Sequence, residues 1–240
     1  METPSSIPGL KRAHAKRLRD VYRSAGWPYQ DLVEIELLAA SLLEQIVEPT
    51  GHTTVRLTDA GMRFVAQTAD QNRQLRSAHE ELVDMVARTM QREGRIVWTG
   101  LNLRARVTDP EGDGKWKWCM PDVFSIRDSS VESYLEPIVN EIKVNRADLL
   151  VDLKRPEKRQ AYLEVGGQCW YVLGRNSKGK PIGTSDEIPV ECGVMVVTDV
   201  GLEVVRVAPK RPSPKLPFSV WMALAKSAPM AREEGRSGDF

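Results

Sequence analysis

The period of the apolar positions changes several times along the chain, and each change marks an expected element. Residues 10 to 25 carry a basic helical pattern that ends at Gly26, and Pro28 opens a new start. With Asp31 as cap, Leu32 to Val47 places Leu32, Ile35, Leu38, Leu42, Leu43 and Ile46 at helical spacing, which predicts one helix stopped by Pro49 to Gly51. Thr53 to Leu57 is short and β-branched, a strand. The run Thr58-Asp59-Ala60-Gly61 then offers a hydroxyl cap to a helix expected over Met62 to Thr68.

From Leu75 the pattern lengthens into a helix with Leu75, Leu82, Val83, Val86 and Met90 on one face, closed by Gly94. Strands follow at Ile96 to Trp98 and at Asn102 to Val107, where Leu103, Ala105 and Val107 alternate with polar residues ahead of the loop Asp109 to Gly114. Val123 to Arg127 and Ile138 to Val144 are short apolar strands. A helix over about Ala147 to Glu164 precedes strands at Cys169 to Leu173, Gly193 to Val197 and Leu202 to Val207. The order helix, strands, helix, strands predicts an α/β sandwich. Ala208 to Pro217 reads as a Pro-rich linker, Phe218 to Ser227 as a short helix docking through Phe218, Trp221, Met222 and Leu224, and Ala231 to Phe240 as a disordered tail.

These patterns divide the chain into a small α-rich module over 1–72, a larger domain over 73–209 and a C-terminal segment over 210–240. Composition narrows the function classes. With 41% apolar and 28% charged residues and no apolar run of membrane-spanning length, the chain reads as soluble and not membrane-embedded. Its N-terminus shows no secretion signal, which places it in the cytoplasm. Cys119, Cys169 and Cys192 have no CxxC spacing and no histidine cluster nearby, which argues against a disulfide framework or a zinc site. A formal net charge of +1 gives no global attraction for nucleic acid, yet Lys11, Arg12, Lys16, Arg17, Arg19 and Arg23 form a local basic stripe. That stripe fits phosphate binding or a solvated helix face.

The candidate chemistry begins with Pro121-Asp122 at the mouth of one strand and Glu141-Ile142-Lys143 inside the next. Alternation along a strand sends Glu141 and Lys143 to one face and Ile142 to the core. If Asp122 lies at the mouth of the neighbouring strand, two carboxylates meet beside one ammonium. A hard divalent cation, Mg2+ or Mn2+, is the expected way to neutralise them, and it would activate water for phosphodiester cleavage.

This pattern resembles the PD-(D/E)XK nuclease superfamily, and the run from Glu141 through Asn145, Arg146, Asp148, Asp152, Lys158, Arg159 and Tyr162 to Trp170-Tyr171-Val172 is similar to its MmcB-like branch, bacterial proteins associated with DNA repair. The resemblance implies a restriction-endonuclease-like α/β sandwich with metal held by Asp122, Glu141 and the main-chain carbonyl of Ile142. Lys143 would orient the attacking water or stabilise charge on the phosphate. Arg146, Lys158, Gln160 and Tyr162 lie where related nucleases approach the nucleic-acid backbone. Where many members add a glutamate from the first helix, this chain has His79 on the apolar face, able to ligate metal, to hydrogen-bond a metal water, or to serve as a core residue. The segment Val55 to Gly61 resembles winged-helix DNA-binding domains, so the first module, with Arg56 on its strand, is expected to bind DNA or to dimerise. Trp116 and Trp118 at alternate positions are expected to pack in a buried strand face, with nucleotide stacking as the other reading. The function expected is a metal-dependent nuclease acting on DNA in repair or defence, the alternative being an inactive nuclease fold that binds nucleic acid or regulates.

Overall fold

The computed structural model describes residues 10–108, 114–211 and 215–231 and divides into two compact units, Met1–Gln74 and Leu75–Phe240. In the first unit, helix α1 (Arg12–Arg23) and helix α2 (Leu32–Ala39) precede a hairpin of β1 (Leu43–Val47) and β2 (Thr53–Leu57), and helix α3 (Asp59–Arg92) begins. Leu18, Val21, Leu37, Leu42, Leu43 and Val55 form the core, with Phe64 and Val65 packed against it. Asp31 caps α2 by accepting from the Glu34 N–H at 3.0 Å, and its carboxylate is gripped by both terminal nitrogens of Arg17. One member of the basic stripe is thus occupied inside the fold.

The single helix expected over Leu32 to Val47 is corrected to a helix and a strand. The chain turns at Ser41, whose φ is +56°, and the apolar residues after it pair with β2 from Leu43↔Leu57 to Val47↔Thr53. Spacing alone did not separate the two, because a short apolar run satisfies both periods. As a result Leu32 and Ile35 are exposed, at 68% and 59%, while Leu37 and the buried Glu34 face inward. A second correction concerns α3, which runs unbroken from its Thr58 cap, where the hydroxyl accepts from the Gly61 N–H at 3.1 Å, through the stretch that separates the two expected helices. Gly61 is required there, since a Cβ would stand 2.1 Å from the Leu42 carbonyl oxygen. Leu75, expected on the core face of the helix, is exposed.

In the second unit the remainder of α3 is followed by β3 (Arg95–Thr99), β4 (Leu103–Thr108), β5 (Gly114–Cys119), β6 (Val123–Arg127) and β7 (Ile138–Lys143). Then come α4 (Arg146–Leu153), α5 (Pro156–Val165), β8 (Gln168–Leu173), β9 (Gly193–Thr198), β10 (Gly201–Arg206) and α6 (Phe218–Ala225). Six strands form a mixed sheet in the order β10-β9-β8-β7-β6-β3, with β7, β8 and β9 parallel and the other neighbours antiparallel. The domain is mixed α/β. On one face Leu82, Val86 and Met90 of α3 meet Val97, Val123, Ile142 and Val172. On the other, Phe124, Val139, Tyr171 and Leu173 meet α5, α6 and the separate β4–β5 hairpin, which contributes Leu103, Ala105 and Val107.

The helix expected over Ala147 to Glu164 is broken at Lys154 and Arg155, because Pro156 takes the first position of α5 and supplies no N–H to continue α4. Helix α6 docks through Val220 and Leu224, whereas Phe218, Trp221 and Met222 are exposed, a correction to the predicted docking set. Residues 109–113 of the predicted loop, 212–214 of the linker and 232–240 of the tail lie outside the described residues. Among the described residues no helix is long and apolar enough to cross a membrane.

Candidate active site

Strand β7 carries the site, because its alternation divides neighbouring residues between the two sheet faces. Ile142 enters the core beneath α3, while Glu141 and Lys143 project toward α4 and α5. Asp122 stands just before β6, and its Oδ2 accepts from the Ile142 N–H at 2.7 Å. The β6–β7 ladder ends at Val123↔Asn140, so this carboxylate takes a donor that a further rung would have used. A residue's N–H and C=O point to the same side of a strand, which directs the Ile142 carbonyl to the edge where Asp122 lies.

Glu141 is 3% exposed. Its Oε1 accepts from Lys143 Nζ and, at 2.5 Å, from Lys158 Nζ on α5. Lys158 also donates to Asp152 Oδ1 at 2.6 Å, and Asp152 Oδ2 accepts from the Tyr171 hydroxyl at 2.7 Å. Lys143 Nζ lies 3.6 Å from Asp152, which closes a ring of two carboxylates and two ammonium groups. Burial opposes the charge on Lys158, but the Glu141 carboxylate and the hydrogen bonds to Asp152 and Glu141 outweigh it and raise its pKa above the ordinary lysine value. Burial likewise pushes Asp152 upward, and the Lys158 hydrogen bond, the Lys143 charge and the Tyr171 hydroxyl overcome it and hold the carboxyl below its ordinary value.

Two features of this cluster address a metal. Glu141 Oε2 is buried and has no hydrogen-bond partner, an expensive state for a carboxylate oxygen. Glu141 Oε2, Asp122 and the Ile142 carbonyl are all oxygen donors, the type that hard divalent cations take. Among the described residues no three His, Cys, Asp or Glu side chains are gathered as a metal site, so the main-chain carbonyl is needed as the third donor. The residues present fit Mg2+ or Mn2+ on that condition.

His79 projects from α3 toward the same strand edge, with Nε2 3.4 Å from Asp122 Oδ1 and a partly open side chain. The two line a cleft of about 420 Å³ with Val83, Thr99, Gly100 and Pro121. Asp122 raises the His79 pKa above its ordinary 6.5 against the opposing effect of burial. A raised folded value means that the imidazolium stabilises the fold fully below pH 6.5, and that this contribution is lost as pH rises through the folded value. We expect the His79 ring signals followed by NMR to titrate above those of a free imidazole, and Asp122→Asn to return them toward 6.5. A His79 titration that Asp122→Asn leaves unmoved would show that the contact does not form in solution.

The residues expected to approach nucleic acid are distributed otherwise. Tyr162 is 1% exposed and its hydroxyl donates to the Met120 carbonyl, so it is a core residue, and Lys158 is held by Glu141 and Asp152 instead of reaching outward. Arg146 forms a two-pronged ion pair with Glu187. Gln160 is exposed on α5, and Arg56 is exposed on β2 beside Glu44. The two tryptophans expected to pack are instead 54% and 69% exposed. The partnership of Asp152 with Lys158 and Tyr171 was not legible beforehand, since it depends on the break at Pro156 that separates α4 from α5. The signals available were that all three lie in the run that carries the resemblance and that Asp152 and Lys158 stand six residues apart.

No protein-family model matches the chain, and no curated protein matches it. Among solved structures, a protein of unknown function from Silicibacter pomeroyi is similar over 62% of this chain and 82% of that chain, with a TM-score of 0.42 and 21% sequence identity.

Proposed function

We propose that the chain is a metal-dependent nuclease of the PD-(D/E)XK superfamily, similar to its MmcB-like branch, that cleaves phosphodiester bonds of DNA in repair or in defence against foreign DNA. Its second unit would be a restriction-endonuclease-like sandwich. The winged-helix-like first unit would contribute DNA affinity or dimerisation through surfaces such as the one bearing Arg56, and the protein would act in the cytoplasm. The observation that carries this reading is the buried Glu141, with one oxygen held by two ammonium groups and the other unpartnered, on the strand whose next N–H is held by Asp122.

Asp122, Glu141 and the Ile142 carbonyl would hold Mg2+ or Mn2+, which when bound supplies an acidified water and charge stabilisation for phosphodiester hydrolysis. Lys143 presents its ammonium beside Glu141, where it can orient a water or meet charge growing on a phosphate oxygen. Lys158, anchored on Asp152, holds Glu141 in place from the other side, and His79 fixes Asp122 and can pass a proton at its Nε2. A second reading has its own support. Lys143 and Lys158 balance Glu141 and Asp152 without any added cation, as a nuclease fold that binds nucleic acid or regulates without cutting would require.

Calorimetric titration with Mn2+ and cleavage assays on DNA and RNA in Mg2+ separate the two. The nuclease reading expects a binding isotherm and cleavage, both lost in the doubly substituted Asp122→Asn, Glu141→Gln protein with its circular dichroism retained. Unchanged Mn2+ binding in the double variant would move the metal elsewhere. A wild type that neither binds Mn2+ nor cuts any substrate supports the inactive reading.

A further inference from the structure

The β4–β5 hairpin sends Leu103, Ala105 and Val107 into the core, so the other face of β4 presents Arg104 and Arg106 to solvent. Register places Arg104 opposite Trp118 and Arg106 opposite Trp116, and both indoles are exposed on β5. The Arg104 guanidinium carbon lies 5.3 Å from the Trp116 ring centroid and 5.2 Å from that of Trp118, so one cation serves two rings. Leaving two indoles in water forfeits the burial that their size ordinarily secures, and such a patch on a soluble domain marks a contact surface.

The position of the patch selects its occupant. Trp118 and Lys117 form one wall of a cleft of about 410 Å³ whose other wall holds Lys158 and Tyr162, and Lys158 donates directly to Glu141. The cleft therefore leads from the aromatic face to the lysine that holds the candidate catalytic carboxylate. Facing rows of arginine on β4 and tryptophan on β5 provide flat π-surfaces for bases and cations for the backbone, the combination that suits a strand with unpaired bases. Bases within a duplex keep their faces stacked on one another and cannot use such rings.

We propose that the exposed face of the β4–β5 hairpin is a stacking platform for unpaired nucleotides, and that the substrate class of this site is single-stranded nucleic acid or a duplex with an unpaired end. The substrate assignment rests on the nuclease reading, whereas binding to the platform does not. The platform delivers the strand across Lys117 into the cleft beside Lys158, with Trp116 and Trp118 each holding a base and Arg104 near the backbone between them.

The test uses the full chain in EDTA, where metal-dependent cleavage is silent, with a fluorescein-labelled oligothymidylate of about 20 nucleotides and a blunt duplex of equal length as probes. Wild type is expected to bind the single strand more tightly than the duplex, with quenching of tryptophan fluorescence. Trp116→Ala and Trp118→Ala should each weaken single-strand binding about 5- to 100-fold, with Phe at either position restoring most of it and duplex binding unchanged. Because both rings are exposed, the circular dichroism and melting of these variants should match wild type. Equal single-strand affinity in the Trp116→Ala, Trp118→Ala double variant, or a wild type that prefers the blunt duplex, overturns the platform. Cleavage is then assayed separately in Mg2+. Absence of cleavage beside intact, tryptophan-dependent binding would reject the nuclease reading and leave the platform standing.

Discussion

Glu141→Leu is expected to destabilise the second unit by about 3 kcal/mol, at the lower end of what breaking a buried ion pair costs. The penalty arises from the ammonium groups left behind and not from lost packing, since leucine is apolar and of similar size. Asp152 remains to receive Lys158, which keeps the cost toward the lower end, but Lys143 then has only the longer 3.6 Å approach to Asp152. Glu141→Gln should cost clearly less, because the amide oxygen keeps an acceptor at the Oε1 position while its NH2 group takes the place of the unpartnered Oε2. Denaturant unfolding followed by tryptophan fluorescence measures this in the right place, as five of the six tryptophans follow residue 75. A Glu141→Leu protein as stable as wild type would mean that the ring of charges contributes no cohesion.

The same ring sets a pH window. Asp152 has a lowered pKa, so its contribution is complete above its ordinary 3.8 and is lost as acid takes the medium below that value. Lys158 has a raised pKa, so its contribution is complete below its ordinary 10.5 and is lost as base takes the medium above it. Between these limits the contributions of Asp152 and Lys158 are both complete.

Where one period ruled a segment, the sequence was readable. Thr53–Leu57 and Val123–Arg127 form strands with the bounds expected, and Glu141 and Lys143 share a face as alternation requires. Where two periods fitted, it was not. Leu43 and Ile46 continue a helical spacing from Leu32, and only pairing with β2 turns them into strand, an interaction that no local pattern contains. The tryptophans misled for a related reason. Alternation showed that Trp116 and Trp118 share a face, but which face meets the core is decided by the partner strand, where Leu103, Ala105 and Val107 take the inner side. The charge ring lies further from local reach, because Glu141, Asp152, Lys158 and Tyr171 come from four elements and meet only after Pro156 re-aims the chain between α4 and α5.

Lys143→Ala is expected to lower turnover roughly 10²- to 10³-fold on whichever nucleic acid the wild type cleaves, the range found when one electrostatic stabiliser is removed. The reason is positional. Lys143 Nζ is bound to Glu141 Oε1 and lies on the strand whose edge meets Asp122, so its charge would be felt most when the phosphate gains charge, and little in the ground state. Substrate affinity and Mn2+ occupancy should therefore change by no more than a few-fold while the single-turnover rate collapses. Lys143→Arg should rescue poorly, since a planar guanidinium does not replace a compact ammonium in a buried ring. Lys158→Ala supplies the contrast. Its ammonium is shared between Glu141 and Asp152, so its loss should loosen Glu141 and lower stability as well as rate, and Lys158→Arg, with two forked donors for two carboxylates, should recover a larger part. Single-turnover cleavage, binding and melting measured on the same four proteins would separate the roles. Wild-type cleavage by Lys143→Ala would exclude this lysine from the chemistry and transfer its role to Lys158.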